Sequence, residues 1–203
     1  MKQRLWIIRH GETDFNRKGI VQGRGMDTDL NTLGLAQAEA FYQAYRHIPF
    51  GKIYTSTLKR TEQTVSPFIK AGHTIEKLEG LDEFDWGIFE GSTFGTFHHD
   101  YRMLLQAWQS GMYHTKPPKG ESPLEVAARQ QKAIERFTSS REDEVLICMH
   151  GRAMRLLLCI LLQREFREME NFEHSNLSLY VLERGEHGWV LIKNNDTAHL
   201  SLL

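Results

Sequence analysis

Short apolar runs punctuate the chain and mark buried strands at Leu5–Ile8, Lys52–Thr55 and Val145–Met149. None alternates polar with apolar positions, as expected where helices cover both faces of a parallel sheet. Helical patterns lie between these runs. One follows Asn31, a good N-cap, and sets Leu35, Ala38, Phe41 and Tyr45 along one stripe. A second runs from about Leu58 to Lys70, with Pro67 placed to bend or shorten it. A third opens at Ser122-Pro123-Leu124-Glu125, which offers a Ser cap, Pro at the first helical position and Glu at the third. A fourth begins soon after His150 and carries Met154, Leu157, Leu158 and Leu161. Near the end, Leu177–Glu183 and Trp189–Lys193 flank a polar turn and read as a hairpin.

This alternation predicts an α/β three-layer sandwich: a mostly parallel central sheet with helices on both faces. The segment from about 92 to 120 departs from the rhythm. It gathers Phe94, Phe97, Tyr101, Trp108 and Tyr113 with His98, His99 and His114, and leaves through Lys116-Pro117-Pro118-Lys119-Gly120. It reads as a partly helical insertion over the active-site edge, long enough to act as a lid. Its aromatics are expected to form a small core of their own.

A length of 203 residues fits one domain over 1–203, and 40% hydrophobic with 25% charged residues excludes a disordered tail or a membrane bundle. Lys and Arg number 25 against 26 Asp and Glu, a net charge of −1. Such a balance gives no global attraction to nucleic acid or anionic lipid, so a bound anion needs a local cluster of cations. The two cysteines, Cys148 and Cys159, sit in apolar runs, which argues against a disulfide scaffold and for a reduced, cytoplasmic interior. The basic start Met1-Lys2-Gln3-Arg4 is followed by only four apolar residues, too few for a secretion signal. The longest apolar run, Leu156 to Leu162, is far below spanning length, so no membrane partner is expected.

Candidate chemistry gathers at the strand ends. In an open parallel sheet, ligands bind beyond the carboxyl ends of the strands. The first run ends in Arg9-His10-Gly11-Glu12-Thr13 and the last apolar strand ends in His150-Gly151. Two strands that each deliver His-Gly at one rim can set two imidazoles side by side. Gly11 suits a sharp turn or a close backbone approach. The run ending Tyr54-Thr55-Ser56 is followed by Arg60 on the next helix, and Leu81-Asp82-Glu83-Phe84-Asp85-Trp86-Gly87 supplies acids among apolar neighbours.

Arg9-His10-Gly11-Glu12-Thr13 with Asn16, Ser56 with Arg60, Glu83 before Gly87 and Glu90-Gly91, and His150-Gly151 with Arg155 resemble the histidine phosphatase superfamily, the phosphoglycerate mutase-like group. Leu30 with Gly34, Gln37 and Ala38, and the ending Asn195-Asp196-Thr197-Ala198-His199-Leu200, extend the resemblance over nearly the whole chain. It implies a two-step phosphoryl transfer on a small phosphorylated metabolite, with His10 as nucleophile and no cofactor or metal. It implies Arg9, Arg60 and His150 as catalytic groups that also hold the phosphoryl oxygens, with Glu83 as proton donor and Asp82 and Asp85 as competitors. Asn16, Gln22, Gly23 and Gly151 are the further binding residues it implies. A histidine nucleophile must be neutral, and cationic neighbours such as Arg9, Arg60 and a protonated His150 lower its pKa. Arginine forks match two phosphate oxygens at once. Arg155 reads as a brace for a carboxylate, and Ser56 either positions the Arg60 turn or donates to phosphate.

Other readings compete. Asp27-Thr28-Asp29 has metal-phosphatase spacing but follows no apolar strand, and adjacent His98-His99-Asp100 is a poor ligand set. A cysteine phosphatase needs an Arg six positions after its Cys, where Cys148 has Met154. No Gly-x-Gly-x-x-Gly follows the first strand. Within the resemblance, mutases carry an Arg-x-Tyr-Gly-x-Leu-x-Gly-x-Asn-Lys string, and Glu83 to Ser92 lacks that Arg, the Tyr and the Asn-Lys. The expectation is therefore a phosphatase, with a 2,3-bisphosphoglycerate-dependent mutase or a non-catalytic phosphate-binding module as alternatives. Lys116, Lys119 and Arg102 are candidates to read a second anionic group.

Overall fold

A computed structural model describes residues 3–203 apart from the side chains of Phe94 and Phe97. Met1 and Lys2 of the basic start, and these two aromatic side chains of the insertion, lie outside the described residues. The chain begins with β1 (Arg4–Arg9), α1 (Asp14–Arg17), α2 (Thr32–Tyr45) and β2 (Lys52–Thr55). Then come α3 (Lys59–Lys70), β3 (Ile75–Lys77), α4 (Phe94–Gln109) and α5 (Pro123–Thr138). It closes with β4 (Glu144–Met149), α6 (Gly151–Leu161), β5 (Leu179–Gly185) and β6 (Gly188–Asp196).

The strands form one sheet in the order β3-β2-β4-β1-β5-β6. The first four are mutually parallel, and β5 and β6 extend the sheet antiparallel. Successive side chains alternate between two apolar layers, because strand side chains point to opposite faces. Leu5, Ile7, Val145 and Ile147 join Val126 and Phe137 of α5 and Met154 and Leu157 of α6. Trp6, Ile8, Leu146 and Cys148 join Phe41 of α2 and Val65 and Phe68 of α3. Burial on both faces explains why these strands read as unbroken apolar runs.

Local signals act as their chemistry requires. Ser122 Oγ accepts Glu125 N–H at 3.3 Å while Glu125 Oε2 accepts Ser122 N–H at 2.8 Å, a complete capping box. Helix α3 continues through Pro67 to Lys70 and is not cut short by it. Strand β5 lies two residues later than its apolar pattern and β6 extends beyond its own at both ends, which leaves Glu186 and His187 as the turn. The short edge strand β3 has no apolar run to announce it. In α4, Trp108 and Leu104 are buried against Phe84 and Trp86, so the insertion's aromatics merge with the main core. Among the described residues, no helix is long and apolar enough to cross a membrane.

The stripe expected on α2 holds at Ala38 and Phe41 but not at Leu35. Gly34, Ala38 and Phe41 face inward, whereas Leu35 is 51% exposed. The cause is a glycine-to-glycine approach. A Cβ on Gly34 would lie 2.1 Å from Glu12 O, and one on Gly11 would lie 2.7 Å from Gly34 O. Neither glycine has a positive φ, so Gly11 is required for this approach to α2 and not for a turn. Gly34→Ala is expected to lower unfolding free energy by about 1–3 kcal/mol, because overpacking outweighs alanine's roughly 1 kcal/mol advantage in helices. Urea denaturation checks it; an unchanged or raised midpoint would contradict the contact.

Candidate active site

Strands β1 and β4 pair Arg9 with Met149, so the next residues, His10 and His150, leave the sheet side by side. Neighbouring strands lie about 4.8 Å apart, and the two ring centroids are 5.1 Å apart. Register alone therefore brings the imidazoles together. His10 Nδ1 lies 2.7 Å from Gly11 O. A carbonyl only accepts, so Nδ1 carries the proton and Nε2 the free lone pair.

His150 is held differently. Arg60 Nε donates to its Nδ1 at 3.2 Å, which leaves the ring proton on Nε2, 2.7 Å from Ser56 Oγ. Ser56 Oγ also accepts Leu58 N–H at 3.1 Å, so Ser56 orients His150 and starts the Arg60 turn. A protonated His150 was expected; the structure corrects this, since its Nδ1 lone pair is taken by a guanidinium. Burial, with Arg60 next in weight, holds both His10 and His150 well below the usual imidazole range.

Arg60 is fully buried, and its other donors reach Met26 O at 2.6 Å and Gly23 O at 3.2 Å. It stands behind His150 and does not line the cavity. Burial lowers its pKa to about 10. Arg9 Nη1 donates to His174 Nδ1 at 3.2 Å, and burial lowers Arg9 to about 10 as well. Its Nε is buried and has no hydrogen-bond partner among the described residues. His174 is pushed down to about 2 by burial and then by Arg9. Its ring packs on Gly151, where an added Cβ would lie 2.5 Å from His174 Cε1.

These neutral imidazoles set a pH dependence. Below pH 6.5 the unfolded chain takes up protons that folded His10, His150 and His174 do not. Each further pH unit costs about 1.4 kcal/mol per such histidine until its folded pKa is reached. Stability measured in urea is expected to be nearly level from pH 7.5 to 6.5 and to fall steeply toward pH 5. A level curve throughout would show that the three rings titrate normally.

Of the three acids near position 83, Glu83 alone lines the cavity. Its Oε1 accepts Phe84 and Ala153 N–H at 2.9 and 2.8 Å, and its Oε2 accepts Arg152 N–H at 3.0 Å. The amino end of α6 therefore seats the carboxylate, as helix N-termini do for anions. Asp82 instead accepts Thr57 N–H at 2.8 Å, and Asp85 accepts Gly87 N–H at 2.8 Å. Arg129 of α5 clamps the loop from outside, donating to Gly80 O, Asp82 O and Glu83 O at 3.0, 2.9 and 2.8 Å.

The cavity, about 130 Å³, brings Arg9, His10, Asn16, Gln22, Glu83 and Gly151 together; His150 joins it through the His10 ring, and Arg60 and Gly23 follow behind His150. A larger cleft of about 640 Å³ lies between α5 and residues 77–80 and is lined by no histidine, so size does not select the site. Asn16 closes a capping box with Thr13 and accepts from Asn176 at 3.1 Å through Oδ1, which leaves its amide N–H groups as donors. Gln22 donates to Thr13 Oγ1 at 2.7 Å. Gly23 is a close-approach residue, with Phe84 O 2.6 Å from where its Cβ would be.

Sequence reasoning missed the far wall of the cavity, made by Trp86, Tyr101, Arg152 and His174. Arg152 Nη2 donates to Tyr101 Oη at 2.6 Å, and Arg152 Nη1 bonds Glu170. Arg155 Nη1 reaches the other Glu170 oxygen at 2.5 Å, the brace expected of it. Lys116 pairs with Glu125 at 2.6 Å, and neither it nor Lys119 or Arg102 lines the cavity, which corrects their candidacy for a second anion. The rival motifs disperse: Asp27 accepts Lys59 N–H and Asp29 accepts from Gln63, at 2.7 and 2.8 Å, and His98, His99 and Asp100 lie exposed on α4.

A family model described as histidine phosphatase superfamily (branch 1) matches residues 5–197. Among curated relatives, the chain is 26% identical to "Putative phosphoserine phosphatase 2" of Hydrogenobacter thermophilus, over 97% of each chain. It is 28% identical to "Probable phosphoglycerate mutase GpmB" of Yersinia pestis, over 98% of this chain and 95% of that one. Among solved structures, a mycobacterial glucosyl-3-phosphoglycerate phosphatase superimposes with a TM-score of 0.85 at 25% identity, over 97% of this chain and all of that one.

Proposed function

The chain belongs to branch 1 of the histidine phosphatase superfamily, and within it we propose a cytoplasmic, metal-independent phosphomonoester hydrolase working as one domain over 1–203. The observation that carries this reading is the His10 tautomer: a buried, neutral imidazole with its Nε2 lone pair unused, in a cavity shared with Arg9 and Glu83. His10 Nε2 attacks phosphorus, the bond from phosphorus to the ester oxygen breaks, and Glu83, which takes up a proton as the dianionic ester binds beside it, passes that proton to the departing alkoxide. Glu83 then takes a proton from water as that water attacks the phosphohistidine, and orthophosphate leaves with His10 neutral again. Arg9 and the Asn16 amide face the charge on the equatorial oxygens, where preorganised donors do most of the work.

His150 enters as a second partner of the same group. A bound phosphoryl dianion favours the charged form of a neighbouring imidazole, and for His150 to donate to it through Nδ1 the bond from Arg60 Nε must first be given up. Arg60 orients His150 through Nε, and of its five N–H donors three are taken, by His150, Met26 O and Gly23 O. The free, buried Cys148 and Cys159 suit a reducing compartment. The test is release of orthophosphate from phosphorylated metabolites and an aryl phosphate, with a chelator and no added metal. Chelator-resistant hydrolysis is expected. Interconversion of 3- and 2-phosphoglycerate without net hydrolysis would replace this reading with a mutase, and no turnover of either kind would leave a phosphate-binding module.

A further inference from the structure

We propose that Arg152, held by Tyr101, forms a second anion subsite, so that the protein selects phosphomonoesters whose alcohol carries a carboxylate or a second phosphate. This inference rests on the phosphatase reading and adds the substrate class to it.

Glu83 ties the two halves of the cavity together. It lines the cavity with His10, and its Oε2 accepts the backbone N–H of Arg152. A leaving oxygen within reach of Glu83 therefore sends the rest of its alcohol toward the residues beside Glu83. Those are Trp86, Tyr101 and Arg152. Trp86 offers an apolar face for a short carbon chain.

Arg152 is 8% exposed and lines this wall of the cavity. A guanidinium so nearly buried needs anionic company. Glu170 supplies only half of it, because the same carboxylate is shared between Arg152 and Arg155. Two guanidiniums on one carboxylate leave one positive charge over, at the place where the alcohol must lie. The Tyr101 hydroxyl fixes the Arg152 plane at 2.6 Å, and it is delivered by α4, the helix of the insertion. The insertion thus contributes to substrate choice through one phenol. The site is distinct from the phosphoryl end, where Arg9 is bonded to His174 and Arg60 to His150.

The experiment compares kcat/KM for O-phosphoserine and 3-phosphoglycerate with that for glycerol 3-phosphate and phosphoethanolamine, in the wild type, Arg152→Gln, Arg152→Lys and Tyr101→Phe. The wild type is expected to favour the two acidic substrates by about 10-fold or more, in line with one charge-assisted contact. Arg152→Gln should bring that ratio close to one, chiefly by raising KM for the acidic substrates. Arg152→Lys should recover part of it, and Tyr101→Phe should lower it by a few-fold. A wild-type ratio near one, or a ratio untouched in Arg152→Gln, overturns the inference while hydrolysis itself stands. If Arg152→Gln does not fold, the wild-type ratio and Tyr101→Phe decide by the same criteria. No hydrolysis of any substrate by the wild type sinks the phosphatase reading, a result separable from loss of selectivity.

Discussion

His10→Ala is expected to cut turnover of any phosphomonoester by about 10⁴-fold or more, the scale on which removal of a covalent nucleophile acts. KM should move little, because Arg9, Asn16 and Gln22 still line the cavity. The variant should also lose part of the acid sensitivity of folding. The buried neutral ring, held well below the ordinary imidazole range by burial and then by Arg60, resists protonation in the folded state only. Without it, stability near pH 5 should rise relative to that at pH 7.5. Steady-state assays with urea titrations at the two pH values check both halves. Retention of even a hundredth of the wild-type rate would mean that another group attacks phosphorus.

Glu83→Gln is the next largest effect, a loss of about 10²- to 10⁴-fold in kcat as a proton-transfer group is removed. The loss should depend on the leaving group. An alkyl alkoxide needs its proton in the transition state, whereas 4-nitrophenolate departs without one. The variant should therefore retain much more of its activity on 4-nitrophenyl phosphate than on an alkyl ester, at least until hydrolysis of the phosphohistidine limits the rate. Glutamine conserves shape but places an N–H₂ where Glu83 now accepts Arg152 and Ala153 N–H, so a thermal melt accompanies the assay. Equal losses on both substrates would assign Glu83 to holding the start of α6 and not to proton transfer.

The fold and the paired imidazoles were readable because each depends on short strings. An apolar run ending in His-Gly says both that a buried strand exists and what stands at its end, and parallel register does the rest. The same logic picked out the capped helix at Ser122 and the strands β1, β2 and β4. What could not be read depends on residues distant in the chain. Leu35 was favoured over Gly34 because hydrophobicity carries no notice of a glycine approach between α2 and the end of β1. Three acids within four residues looked alike until the amino end of α6 accepted only Glu83. The charge of Arg60 was legible, but the carbonyls of Gly23 and Met26 that occupy it were not. Arg129 and His174 reach the site from separate elements with no motif around them, and Arg152, although it follows His150-Gly151 directly, is turned toward the cavity by Tyr101, far away on α4. Edge strand β3 is too short to leave a pattern.

The claim on which all of this turns is that His10 Nε2 becomes covalently phosphorylated. Rapid acid-free quenching of the protein with a phosphorus-labelled monoester, followed by peptide mapping, tests it directly. A phosphoramidate bond is acid-labile and base-stable, so the label should survive alkali, vanish in acid and map to the peptide containing His10. Label that is acid-stable or sits on another residue, or orthophosphate released in single turnover with no labelled protein at any time, would contradict it.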